Sequence, residues 1–183
     1  MNTFPVHTLE TAPESSRPAL EILKGVFGAV PNIAGAMSTS PVLISALVAL
    51  FQKVHGGSFS EEQIQVLLLT NAVTNASPWA IAFHTALALK EGVDPADVEA
   101  IRQGRAPRKA GNSALSILAR TLIEKRGLLN ERDQAHFLEA GFTRSHLLEV
   151  IAVVAASTIT NYTGNVAQPP VEAAFKAYAW SAP

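Results

Sequence analysis

The stretch "NASPWAIAFH", residues 75 to 84, gathers the side chains of this sequence best suited to chemistry: Asn75, Ser77, Trp79 and His84. A serine becomes a nucleophile only with a base in hydrogen-bond reach. His84 lies seven residues further along the same helical face, about 10 Å of rise, too far to activate Ser77 directly. Ser77 followed by Pro78 instead has the form of a helix start. The serine would accept a bond from a free backbone amide, and the proline has no amide to leave unpaired. His84 stands inside "AIAFHTALAL", where an imidazole without a partner is costly to bury. Two roles stay open for it: a hydrogen bond across the core, or general acid/base work in a pocket, where a near-neutral pKa suits proton transfer. Trp79 reads as a packing or pocket-wall aromatic. Gln65, Asn71 and Asn75 interrupt a helix otherwise rich in Val and Leu, placed either to line a pocket or to satisfy helix ends.

The elements that position these residues are helices. Ser40 with Pro41, Ser60 with Gln63, Asp94 with Pro95, Asn130 and Thr143 each stand where a helix start needs a capping side chain, and Gly follows where helices stop. "SSRPALEILKGVFG" opens the series, and "PPVEAAFKAYAW" is expected to form a last helix. The basic break "RAPRKAGNS" divides the chain into two helical halves and reads as a loop, since neither half alone has a comfortable core. The helices "IQVLLLTNAVTNASPWA" and "LEVIAVVAASTITNYTG" echo each other, a likeness that any two buried helices show. The expected fold class is all-α: one helical-bundle domain over residues 16–183, preceded by an N-terminal extension, 1–15.

Composition narrows the function. Of 183 residues, 48% are hydrophobic and 16% charged, against about 25% charged in an ordinary soluble domain. The surplus apolar surface predicts burial against further copies of the chain, a homo-oligomer. A net charge of −1, with acids and bases scattered along the chain, gives no footprint for nucleic acid. The first residues lack the order of a signal peptide, and apolar runs such as "VLISALVALF" fall short of the ~20 residues that cross a bilayer. A cytoplasmic protein without a membrane partner is the expectation. The five histidines form no H-x-x-x-H pair, His136 and Glu139 sit on a charged amphipathic stretch, and no phosphate-binding glycine loop occurs. No metal and no cofactor is expected. Glu149 reads as an exposed or interface-rim carboxylate. Cysteine is absent altogether, which removes disulfides, thiolate ligands and thiol redox chemistry.

The order "VPNIAGAMSTSPVLISAL", "FSEEQIQVLLLTNAVTNASPWAIAFHTALALKEGV", "ADVEAIRQG" and "LARTLIEKRGLLNERDQAHFLEAGFTRSHLLEVIAVVAASTITNY" resembles the carboxymuconolactone decarboxylase and alkylhydroperoxidase D-like superfamily, in particular its peroxidase-related branch. The resemblance covers nearly everything after residue 15. It implies an all-α bundle that assembles through its helices into a homo-oligomer, dimer to hexamer, and a signature of a glutamate, a C-x-x-C pair and a histidine. Matched position by position, the glutamate falls on Gln65, the first cysteine on Ser77, the aromatic or histidine between the cysteines on Trp79, the second cysteine on Ala80 and the histidine on His84. Only the histidine remains. A hydroxyl and a methyl cannot form or resolve a mixed disulfide, so the thiol peroxidase activity that the resemblance implies is contradicted by this chain's own residues. Two readings follow. One is a cysteine-free relative that binds a small molecule in a pocket near Trp79, Asn75 and Ala80, or serves as an assembled scaffold, with His84 a core residue. The other is a non-redox lyase or isomerase acting on a small carbonyl or lactone compound, with His84 as general acid/base and Gln65 and Ser77 orienting the substrate.

Overall fold

The computed structural model describes residues 4–181. They run through α1 (Arg17–Phe27), α2 (Asn32–Met37), α3 (Pro41–His55), α4 (Glu61–Thr74), α5 (Pro78–Lys90), α6 (Pro95–Arg102), α7 (Ala110–Glu124), α8 (Glu131–Glu139) and α9 (Arg144–Ala167), with no strand among the described residues. Capping residues set the starts. Ser40 accepts from the Leu43 amide, Asp94 from the Ala96 amide, and Ser60, Asn130 and Thr143 each close a reciprocal box with the third residue of their helix. Each box satisfies amide donors that a helix start leaves without an internal partner.

The packing follows from where polar faces are missing. From Ile64 to Ala72 every residue of α4 is buried, and from Trp79 to Thr85 the same holds for α5. A helix apolar all round must be surrounded, and α4 packs against α5, α6, α7 and α9. Beside it, α9 has 24 residues and an apolar window of mean hydropathy 1.3, the length and composition of a bilayer span, yet it is packed against α2, α3, α4, α5 and α7. The direction of α9 relative to α4 is fixed at both ends. Glu149 accepts from the Ser58 amide at 2.6 Å across 91 residues of sequence, and Asn165 donates to the Asn75 carbonyl at 2.9 Å across 90. Two helices keeping one separation run side by side in the same direction.

Two local expectations are corrected, and one short helix is added. Glu149 is a half-buried brace and not a free rim carboxylate: its Oε1 holds the Ser58 amide, and Gly57 lies so close that a Cβ there would meet the carboxylate at 2.0 Å. The segment "PNIAGAM", read within a longer stretch, forms its own short helix, α2, which Asn32 opens after Pro31. The closing helix is only a six-residue 3-10 turn, Ala173–Tyr178. Its N-cap residue, Glu172, makes no capping bond because its carboxylate is engaged elsewhere, and a turn of this length has little helical stability of its own. This turn lies along α5 as a strap.

Candidate functional site

The residues singled out in the sequence converge on α4, α5 and α9, but they do not share one open cavity. His84 is 3% exposed, and its Nδ1 lies 3.0 Å from Gln65 Oε1. An amide oxygen only accepts, so Nδ1 carries the proton and the ring is the neutral Nδ1–H tautomer. Burial, with a smaller contribution from His55, lowers the His84 pKa from 6.5 to about 3. The imidazole therefore stays neutral at pH 7. Ala80, one turn before it, is fully buried.

Ser77 occupies the N-cap position of α5, with Pro78 at the first turn, but its hydroxyl makes no capping bond. This corrects the capping expectation. The Ser77 amide donates to the Ala72 carbonyl at 3.0 Å, closing the turn that ends α4, and the side chain points inward against α9. A Cβ on Gly164 would stand 2.9 Å from Ser77 Oγ, so the two elements meet here at the distance only glycine permits. The Oγ is buried and has no hydrogen-bond partner, an arrangement that costs about 1–3 kcal/mol per group.

Trp79 is held from the side. Its ring stacks on Phe83 at 4.8 Å, Phe83 meets Phe175 of the strap edge-on at 5.1 Å, and the indole Nε1 donates to Glu172 Oε2 at 3.0 Å. The other oxygen of Glu172 accepts from the Asn32 amide at 2.6 Å, tying the strap to the start of α2. At this corner lies a cleft of about 420 Å³, with Pro78 and Trp79 on one wall and Gly164, Asn165, Gln168 and Val171 on the other. No charged side chain lines it. Ala76 and Gln168, both on its wall, have left-handed backbones at φ 46° and 47°, a conformation that is strained for residues with a side chain. Of the sequence-derived residues, Trp79 forms part of this wall. Asn75 reaches its edge through the carbonyl that Asn165 binds, Ser77 rests against its Gly164, Ala80 is buried within α5, and Gln65 and His84 form a separate buried pair.

A second cleft of about 420 Å³ lies where the basic loop meets α6 and α4. There Arg108 pairs with Asp94 and Asp97, and Lys109 pairs with Glu62. Arg108 and Lys109 are thus paired with acids of α4 and α6 and the α6 cap, while Arg105 donates to the Gln103 side chain.

With this geometry in view, comparison with known proteins is direct. Residues 41–121 match the carboxymuconolactone decarboxylase family. Over those residues the sequence is carboxymuconolactone decarboxylase-like. The segment matched contains Gln65, Ser77, Ala80 and His84, and no curated protein is similar enough in sequence to match. The fold is of the alkylhydroperoxidase D type. It is similar to the crystal structure of an alkylhydroperoxidase AhpD core, an uncharacterized peroxidase-related protein from Ralstonia eutropha JMP134, at a TM-score of 0.80 and 17% identity over 94% of this chain and 93% of that one. A peroxidase-related protein from Silicibacter sp. TM1040 aligns at 0.77 and 18% identity over 94% and 92%. A cysteine-to-alanine variant of the debrominase Bmp8, in complex with 2,3,4-tribromopyrrole, aligns at 0.78 and 15% identity over 97% and 95%. At these identities the likeness is one of fold.

Sequence reasoning passed over Glu172, Gly164 and Arg102. Gly164 had a signal, since an isolated glycine inside a helix marks a close approach. Glu172 and Arg102 act on partners far along the chain, and nothing local announces them.

Proposed function

We propose that this chain is a thiol-free relative of the carboxymuconolactone decarboxylase and alkylhydroperoxidase D-like proteins that binds a small uncharged molecule and is not a thiol peroxidase by its own residues. The observation that carries the reading is the absence of cysteine from the sequence, together with the burial of Ser77 and Ala80, onto which the resemblance maps the cysteine pair. The ligand class follows from the cleft beside them, which has aromatic, proline and glycine walls and no charged group. A ring compound in a related fold, the tribromopyrrole of the debrominase complex, supports a ligand of this size.

The acid/base reading of His84 meets one of its two requirements. His84 does sit beside Gln65, but it is sealed, and with a pKa of about 3 its imidazole is a weak base. Binding is the better-supported role. The purified chain should consume no hydroperoxide in the presence of a dithiol, and uncharged aromatic fragments should quench or shift Trp79 emission. Sustained thiol-dependent turnover by metal-free, haem-free protein would overturn the first half, and emission indifferent to every fragment the second.

Self-association belongs to the same proposal. Leu148, Ile151, Tyr162 and Val166 are all exposed along α9, Tyr162 by 58%, and no charged residue occurs between Val150 and Val171. Depletion of charge around exposed aromatic and aliphatic groups is the pattern of an interface core. Light scattering is expected to give a mass of at least two subunits, and a Leu148→Asp, Tyr162→Asp variant a smaller one. A monomer at high protein concentration would refute it.

A further inference from the structure

The closing 3-10 turn is attached to the bundle differently from the helices. No residue of Ala173–Tyr178 is buried, and Ala173, Ala174, Lys176 and Ala177 are exposed. A segment without a buried residue gains little from the hydrophobic effect, so discrete attachments must hold it. They sit at its two ends. At the far end Arg102 donates to the Tyr178 and Ala179 carbonyls. At the near end the Asn32 amide and the Trp79 indole both donate to Glu172, and the Asn32 side chain donates to the Pro170 carbonyl at 2.9 Å. Between the ends Phe175 reaches inward, edge-on to Phe83.

The near end is also a wall of the cleft, since Gln168, Pro169 and Val171 line it together with Pro78 and Trp79 of α5. The segment leaves α9 through Gln168, whose backbone is left-handed at φ 47° and ψ 51°. A residue with a side chain is strained there. Two prolines follow, and they have no amide with which to continue a helix. The course of the chain beyond α9 is therefore set by the contacts of Asn32, Trp79 and Arg102 and not by the helix it follows. Beneath it lies an aromatic floor. Trp79 and Phe83, stacked at 4.8 Å, are 4% and 6% exposed, and Phe27 meets Phe83 edge-on at 5.3 Å.

We propose that residues 168–180 are a hinged wall of the cleft. The segment turns about Gln168 when Glu172 lets go, opens the cleft toward the floor of Trp79 and Phe83, and closes over an uncharged aromatic ligand that touches both walls. This rests on the small-molecule reading above and specifies how the ligand enters. Glu172 is the latch, a positioning residue, because one carboxylate ties the segment to α2 and α5 at once. A ligand in contact with the closed wall binds the closed form more tightly, and by linkage it holds that form closed by the same factor.

The two tryptophans of the chain report the two ends separately: the Trp79 indole proton is held by Glu172, and that of Trp180 by the Arg102 carbonyl. In ¹⁵N-labelled protein, after correction for intrinsic rates, the Trp79 indole proton is expected to exchange about a hundredfold faster than the amides of buried Leu67 and Leu68 in α4, because opening the segment leaves the core folded. Benzyl alcohol, an uncharged probe, at about ten times its Kd should slow that exchange about tenfold. Glu172→Ala should weaken the probe roughly tenfold by calorimetry, the effect of a lost charge-assisted bond. Glu172→Gln keeps an acceptor oxygen and should weaken it less. Equal binding by all three proteins, with indole exchange indifferent to the probe, would show a fixed wall: the cleft would remain a ligand site and the hinge would fall. If wild type gives neither heat of binding nor a change in Trp79 emission at any soluble concentration of probe, the small-molecule reading falls and the hinged wall with it. Indole exchange as slow as that of the α4 amides would overturn the hinge whether or not the probe binds.

Discussion

Between pH 7 and pH 4 the folded state is expected to lose roughly 3 kcal/mol of stability through His84 alone, and a His84→Gln variant is expected to lack that loss. In the unfolded chain the imidazole takes up a proton below about pH 6.5, while in the folded chain burial among α4 and α5 holds the pKa near 3. In that interval the unfolded state binds more protons than the native one, so acid favours unfolding. Stability from this group is fully present above pH 6.5, falls as pH drops toward 3, and changes no further below it. Glutamine at 84 keeps a donor for Gln65 Oε1 without a titrating ring. Urea titrations of both proteins at half-unit intervals of pH would separate the effect, because the carboxylates titrate lower. Glu62, lowered by its bonds from Lys109 and Asn112, and Asp97, where hydrogen bonds from Arg108 outweigh the opposing effect of burial, weaken the fold only at the acid end. Parallel wild-type and variant curves from pH 7 to 4.5 would mean that His84 is hydrated, and the acid/base reading of its role would reopen.

The same residue shows what the sequence could convey. An imidazole within an apolar helix announced that it needed a partner, and Gln65 on the preceding helix is that partner. Helix starts were legible because a cap is a local event, decided by residues within one turn. Ser77 followed that grammar and escaped it: Pro78 begins α5 as expected, but the serine hydroxyl turns toward Gly164, because α9 comes to the distance only glycine allows. That approach depends on a helix more than eighty residues away, and no spacing near residue 77 encodes it. Glu149 was missed for a similar reason, since a carboxylate on an apolar helix has the same appearance whether it faces water or braces a distant loop.

Arg102→Ala is expected to release the strap and destabilise the protein by about 2–3 kcal/mol, the range for a charge-assisted hydrogen-bond cluster with little solvent access. The guanidinium is 16% exposed and binds both ends of the interaction: it donates to Thr85 on α5 at 2.9 Å and to the Tyr178 and Ala179 carbonyls at 3.0 and 3.1 Å. Trp180 returns the contact, its indole donating to the Arg102 carbonyl at 3.1 Å. Sequence separations of 76 to 78 residues make this the clasp that folds the end of the described chain back onto α6. Alanine removes all the side-chain bonds at once, whereas lysine at 102 keeps the charge without the planar fork that addresses several acceptors together. The lysine variant should therefore fall between wild type and alanine. Released strap residues would admit chymotrypsin at Phe175 and Tyr178, and Trp180 emission would move to longer wavelength. Trp79 distinguishes a local opening from general unfolding. Glu172 lies between the clasp and the cleft, so if its bond to the indole survives in Arg102→Ala, fragment binding at the cleft persists while the far end of the strap is cut. If the alanine variant resists protease as the wild type does, the carbonyls of residues 178 and 179 are held by packing of Phe175 and Trp180, and the arginine is a bystander.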